Sequence, residues 1–487
     1  MQIQYCARGN RLGYLAVVLL VVGALLYGFS LDRYPGFYVD DAFFAFPALK
    51  AALGGSFTYA VGSKAPFANE IWAYHGPIFP HLLSFLFRVF GFSTAVSRLP
   101  DFLGGWLAAL LIVLFLNHRK YRYAGLVFAI LWCGDRAPQE LMYGRMDGLA
   151  LLILVISWLW LRLTCARRSG KYALLTGIFC GLATLTHPLC IFFAAISLLL
   201  ILYWAKWRAA LWFIFGGVLN LPLLFVLWNF QVRKSLAQFL WHSGQVQADT
   251  PLRAFVLMLP ILHWSEYWFI ALLGFSVACV VMAGVVLVRQ GRRMDERWLE
   301  FVLAASFGLT SLQTIFRSST HPYYIVYFSL WPMLCLALMT ESSRKKFRYI
   351  AAAMALTWCI SAAWNFMRIR ESVKFHAQLD KRYLFAELEK DIPPTAEIYT
   401  TPELYSVPIE AGFRNFNLTT FFAEGQDVCA ECYLLMTSSE LHEPKYFAAA
   451  NLHRRLIIYA GPAFPGAGPL SYPIVILSPE KDGVAHP

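Results

Sequence analysis

The chain has 487 residues, of which 59% are apolar and 14% charged, with a formal net charge of +12. Soluble folds carry roughly a quarter charged residues, so a soluble globular protein, a disordered chain, a coiled coil and a disulfide-stapled secreted domain are excluded, and an integral membrane protein remains. The basic excess is no nucleic-acid footprint, because Lys and Arg fall in short clusters between apolar runs.

The first apolar run, Leu12 to Leu31, is long enough for a hydrocarbon core of about 30 Å. It exceeds a usual signal-peptide core and no small-x-small cleavage site follows, so it reads as an uncleaved span. Further runs lie at Arg98–Leu116, Tyr123–Trp132, Asp147–Leu161, Tyr172–Thr186, Leu189–Trp204, Leu211–Trp228, Ser265–Val288, Leu299–Ile315, Tyr324–Met339 and Tyr349–Trp364. The pattern predicts an all-α polytopic protein of about eleven transmembrane helices. Pro77–Phe90 and Ala42–Leu53 are apolar too. Counting Pro77–Phe90 as a span would break the charge alternation described next, so both read as interfacial helices in a first external loop over about 32–97.

Short cytoplasmic loops retain Lys and Arg. His118 to Arg122, Arg162 to Lys171, Lys206 to Arg208, Arg289 to Arg297 and Arg344 to Arg348 alternate with connections poor in such clusters. This predicts a cytoplasmic N-terminus, with segments 32–97, 133–147, 186–188, 229–264, 316–323 and 366–487 on the far side, in a bacterial inner membrane whose anionic lipids attract the basic loops. From about Met367 charge returns. An amphipathic stretch Glu371–Lys390 ends at Pro393-Pro394, and strand-like runs follow at 397–400, 432–436, 455–459 and 473–477. The division is therefore 1–366, a transmembrane domain, and 367–487, a small extracytoplasmic α/β domain.

Ionisable residues at span ends persist mainly where they are used. Asp40-Asp41 follows the first span; helix capping explains one Asp there better than two. Gly134–Asp147 crowds Asp135, Arg136, Glu140, Arg145 and Asp147 into a short loop, where Asp147 also suits a helix start. Arg317 and His321 stand at the mouth of a later span, and His75, Lys64 and His187 add cations to the same face. Arg grips phosphate oxygens with two hydrogen bonds. A divalent cation is compatible with Asp40, Asp41, Asp147 and His75, but no ligand spacing such as HExxH calls for a metal. Six of the ten cysteines lie inside spans and act as small apolar residues. Cys429 and Cys432 form a CxxC, expected as a small-loop disulfide outside the cell.

Taken in order, these segments resemble the GT-C superfamily of membrane glycosyltransferases, in particular its protein O-mannosyltransferase and lipid A aminoarabinose transferase branch. The resemblance covers roughly residues 10–340. Tyr38 to Phe44 is similar to the acidic motif after the first span, and Tyr74 to Phe79 to a Lys/His-Pro-Pro-Leu-Tyr element. Phe87 to Gly91 with Ser97 to Pro100 is similar to the segment that follows. Gly144 to Ala150 is similar to an Arg-x-Asp-x-Leu element, Gly181 to Pro188 to a Gly-Leu-Ala-x-Leu-Thr-Lys-Pro turn, and His321 to Tyr324 to a His/Arg-Tyr element. Gly76, His75 and Phe43 depart from residues frequent in that family, which bears on sugar identity and donor-phosphate binding more than on the reaction class.

The resemblance implies a hexosyl- or pentosyltransferase that uses a polyprenyl-phosphate-linked sugar, inverts the anomeric carbon and delivers to a lipid, glycan or protein hydroxyl. It implies Asp40 as general base, Asp41 and Asp147 as orienting carboxylates, and Arg145, His75, Arg317 and His321 as cations for the leaving phosphate. An Asp in a partly desolvated cleft gains the basicity this needs. A lipid-linked sugar flippase or transporter, or an O-antigen polymerase or ligase, is the competing class. A transporter would carry its charge near the bilayer midplane, usually with an internal repeat, and no repeat is evident here.

Overall fold

The computed structural model describes residues 2–33, 39–58, 73, 75–245, 264–317, 325–341, 382–401, 404–418, 432–437, 452–457 and 474–479, with isolated positions between 345 and 375. Its main bundle helices are α1 (Gln2–Gly28), α4 (Thr94–His118), α5 (Ala124–Gly134), α7 (Asp147–Arg167), α8 (Gly170–Thr186), α9 (Ile191–Val218), α12 (Trp264–Gln290), α13 (Glu296–Arg317) and α14 (Ile325–Thr340). Shorter helices connect them: α2 (Val39–Ala52), α3 (Ile78–Phe90), α6 (Ala137–Glu140), α10 (Leu221–Leu227) and α11 (Val232–Gln245).

Among the described residues four helices are long and apolar enough to cross a membrane: Arg11–Gly28, Thr94–His118, Asp147–Arg167 and the run Pro188–Leu227. Ala124–Gly134, Gly274–Gln290 and Ser329–Thr340 are apolar but shorter. Positions 350–364 of the expected last span lie outside the described residues. The stretches expected as spans at Leu189–Trp204 and Leu211–Trp228 lie on either side of a break between two helical pieces. They meet inside α9 at a kink where Lys206 takes φ 70°, a single left-handed residue that redirects the chain.

Helix α3 has 13 residues, about 20 Å at 1.5 Å per residue, too short for a 30 Å core. It buries Phe79, Leu83 and Phe87 at four-residue spacing and leaves Phe85, Val89 and Phe90 exposed. Gly91, at φ 76°, ends it. Arg88 Nη2 donates to Ala51 O at 2.7 Å, binding α3 to the last turn of α2. Ser93 Oγ then accepts from Val96 N at 3.2 Å and starts α4.

The basic connections share one end of the bundle. Arg119, after α4, pairs with Glu296 and with Glu300 (3.0 Å) of α13. Arg162 of α7 reaches the same two carboxylates at 2.9 Å each. Glu341, beyond α14, accepts from the N–H of Ala124 at 3.0 Å and so caps α5, while Arg297 donates to its carbonyl at 2.6 Å. The acidic segments gather at the other end.

The C-terminal part holds α15 (Arg382–Asp391), β1 (Ile398–Thr400), α16 (Ser406–Glu410), β2 (Phe416–Leu418), β3 (Tyr433–Thr437), β4 (Leu452–Ile457) and β5 (Ile474–Pro479). The sheet order is β2-β1-β3-β5-β4, with β1 parallel to both neighbours and β5 antiparallel to both of its own. The runs read at 397–400, 432–436 and 473–477 overlap β1, β3 and β5, the run at 455–459 meets only the end of β4, and β2 carried no signal.

Two cores result. One lies among the long helices. The second packs Phe44, Phe46 and Leu49 of α2 and Phe79 and Leu83 of α3 against Leu384, Tyr405, Val407 and Phe416 of the C-terminal part, with Met146 between Arg145 and Asp147 in the same cluster. The charged residues of the acidic end lie at the seam between the cores.

Candidate active site

Asp41 is fully buried in the first turn of α2. Its Oδ2 accepts from Arg98 Nη2 at 2.7 Å, and Arg98 Nη1 donates to Leu31 O at 3.2 Å, so one guanidinium ties α2 to the end of the first span. The other carboxylate oxygen accepts from the backbone N–H of Gly144. Asp41 thus holds the loop carrying Arg145 rather than capping its own helix. Of Asp40 the structure describes only the backbone, in the same first turn.

Asp147 opens α7, where capping was the plain alternative. Its carboxylate instead accepts from Arg145 Nε at 2.7 Å and stands 3.5 Å from His187 Nε2. The N–H of Gly148 is taken by the buried Asp101 of α4. An added Cβ at Gly148 would stand 2.0 Å from Asp101 O, so α4 and α7 touch backbone to backbone there.

His187 lies in the turn between α8 and α9. Its Nδ1 accepts from Leu189 N at 3.1 Å, which puts the proton of the neutral ring on Nε2, the nitrogen facing Asp147. Burial pushes its pKa down to about 4 against a smaller upward pull from Asp147, keeping the ring neutral at pH 7. The Phe44 ring carries the site toward the first loop: Arg145 lies over it at 5.8 Å, and the half-buried His75 sits at 5.1 Å, with His187 6.1 Å beyond His75. An added Cβ at Gly76 would stand 2.0 Å from Leu185 O, so the departure from proline at this position seats the His75 segment against the end of α8.

His75, Arg145, Asp147 and His187 therefore converge, with Asp41 one contact away through Gly144. The side chain of Arg317, all of His321 and Lys64 and Cys429 lie outside the described residues. Cys432 Sγ stands 3.5 Å from Glu397 Oε2. Asp135 accepts from Ala137 N at 2.8 Å and Arg136 pairs with Glu140 at 2.7 Å, so those charges shape α6 rather than join the cluster. Sequence reasoning missed Arg98 as the partner of Asp41, and missed Asp101. The available signal was ionic residues inside an otherwise apolar helix. Among the described residues, no group of three His, Cys, Asp or Glu stands close enough to hold a metal ion.

ArnT from Cupriavidus metallidurans, crystallised bound to undecaprenyl phosphate, superposes with a TM-score of 0.56 over 94% of this chain and 97% of its own, at 12% identity. The chain has the fold of the GT-C membrane glycosyltransferases. Lower similarity is found to the GT-C oligosaccharyltransferase of Archaeoglobus fulgidus, solved with Zn and sulfate (TM-score 0.47, 14% identity, 89% of this chain and 69% of that one), and to apo ArnT (0.38, 11% identity, 95% and 98%). No protein-family model and no curated sequence matches the chain. The GT-C likeness thus rests on shape and on the order of short motifs.

Proposed function

We propose that this protein transfers a sugar from a polyprenyl-phosphate-linked donor to an acceptor hydroxyl, with inversion, at the acidic end of the helix bundle. In this reading about eleven helices span a bacterial inner membrane, and the acidic end faces outward with residues 367–487 over it. Asp40 takes the proton of the acceptor hydroxyl. The freed oxygen attacks the anomeric carbon opposite the phosphate, the bond from that carbon to the phosphate oxygen breaks, and polyprenyl phosphate leaves with the electron pair. Arg145 and His75 meet the charge developing on that phosphate, with Arg317 and His321 as further cations. Asp41 and Asp147 orient, and a divalent cation is no required part of the scheme.

The observation that carries this reading is the pinned loop. Asp41 and Asp101 hold the backbone at Gly144 and Gly148, and Asp147 fixes Arg145 by its Nε, so the guanidinium is preorganised over the Phe44 ring that His75 also meets. Adjacent helix positions diverge by about 100°, so Asp40 cannot share the place of Asp41 against Arg98, which supports separate roles for the two. The test is transfer of radiolabelled sugar from membrane polyprenyl-phosphate donors to cell-envelope acceptors, with wild type and Asp40→Asn at matched expression. Label entering one acceptor fraction and vanishing in the variant supports the reading. Equal labelling by both proteins removes Asp40 as base, and no labelling by either, with donor movement across vesicles, returns the transporter alternative.

A further inference from the structure

At the opposite end from the aspartates, a cavity of about 400 Å³ opens between the last turns of α4 and α7 and the first turn of α13. Leu159 and Leu163 line it together with His118, Arg119, Arg162 and Arg167. Glu296, at the rim, and the buried Glu300 hold Arg119 and Arg162 through their Nε and Nη2 atoms, and Arg167 Nη1 donates to Tyr172 OH at 3.0 Å. A guanidinium has five N–H donors, so both clamped arginines keep a further donor edge. Three guanidinium groups against two carboxylates leave one positive charge.

We propose that this cavity binds the phosphodiester headgroup of an anionic phospholipid from the adjacent leaflet. One phosphodiester matches the residual charge, and the fork of an arginine suits its two free oxygens. Leu159 and Leu163 give the start of an acyl chain an apolar wall that a soluble anion would not use. The basic stretch Arg167 to Lys171 and the cluster His118 to Arg122 surround the opening and concentrate anionic lipid at it. The site is separate from the aspartate cluster and does not depend on the sugar-transfer reading.

The test is native mass spectrometry of the full chain released from detergent with phosphatidylglycerol, phosphatidylcholine or inorganic phosphate. It is run on wild type and on the double variant His118→Gln/Arg167→Gln, which leaves the clamp of Glu296 and Glu300 in place. The wild type is expected to retain one phosphatidylglycerol at least about fivefold more tightly than phosphatidylcholine. The double variant should lose that preference while unfolding, without lipid, at the wild-type temperature. Equal retention of the two lipids, or an unchanged preference in the double variant, overturns the proposal. Phosphate that displaces phosphatidylglycerol and raises the unfolding temperature as much overturns it in favour of a soluble-anion site. If the double variant unfolds early, Arg167→Lys, which keeps the charge and loses the fork, must weaken phosphatidylglycerol retention for the proposal to stand.

Discussion

Both ends of the bundle bury charge, and they use it differently. At the basic end Glu296 and Glu300, one turn apart on α13, each take both Arg119 and Arg162, and Tyr121 OH adds a bond of 2.7 Å to Glu300. The ions there satisfy one another and fasten α13 and α7 to the connection after α4. At the acidic end Asp41 and Asp101 accept from backbone N–H groups on either side of Arg145; Asp147 is shared by Arg145 and His187, and Arg145 lies over the Phe44 ring that His75 meets. Buried ions are therefore no marker of a site in themselves. What they hold differs: helices at the basic end, the backbone around Arg145 at the acidic end.

The sharpest way to break this contrast is Asp40→Asn. On the proposed reading of Asp40 as general base, its loss should lower transfer by about 10²- to 10⁴-fold with the unfolding temperature unchanged. A loss of stability instead would move Asp40 among the holding residues. Removing one member of a buried pair comes next. Asp41→Asn leaves Arg98 buried against a neutral partner and is expected to cost about 3–5 kcal/mol of stability by denaturant unfolding, whereas Glu300→Gln leaves Arg119 and Arg162 their pairs with Glu296 and should cost less. Activity per folded molecule should fall for Asp41→Asn and persist for Glu300→Gln; equal behaviour would erase the contrast.

A smaller effect is expected of Gly76→Ala. The new methyl meets the backbone carbonyl of Leu185, which cannot rotate away, so about 1–3 kcal/mol of overpacking strain follows, with KM for the donor raised more than kcat is lowered. The smallest is a pH effect. The folded pKa of His187, about 4, lies below the ordinary 6.5. Between these values the unfolded chain binds a proton that the folded one refuses, so the contribution of His187 is complete above pH 6.5 and declines as pH falls toward 4. Unfolding temperatures measured from pH 7.5 to 5 should drop less steeply in His187→Gln than in wild type.

The long apolar helices were legible because apolar runs of about twenty residues have no soluble use, and α3 was legible as a short apolar helix set apart from them by the charge alternation. The break at Lys206 was legible as the basic cluster Lys206 to Arg208, but not that a single residue with φ 70° makes it, since one such residue leaves no mark on composition. Within the candidate site the sequence offered Arg145 and Asp147 through their spacing and His75 and His187 through their place beside helix starts. It could not say why two aspartates stand together, because the partner of Asp41 is 57 residues away and appears in sequence as one more Arg in an apolar run. Nor could it separate Glu296 and Glu300 from the basic loops around them, since a clamp across three helices has no local pattern.

Glu410 of the C-terminal part caps α4: its Oε1 accepts from Thr94 N at 2.8 Å and from Thr94 Oγ1 at 2.6 Å, across 316 residues of sequence. The helix that supplies Arg98 and Asp101 is thus finished at its N-terminal end by a residue synthesised 316 positions later. Membrane insertion can run from one helix to the next as the chain emerges, but the acidic end cannot reach its final form until residue 410 has been delivered. Chains cut by proteolysis before that point would sit in the bilayer with this end of α4 uncapped.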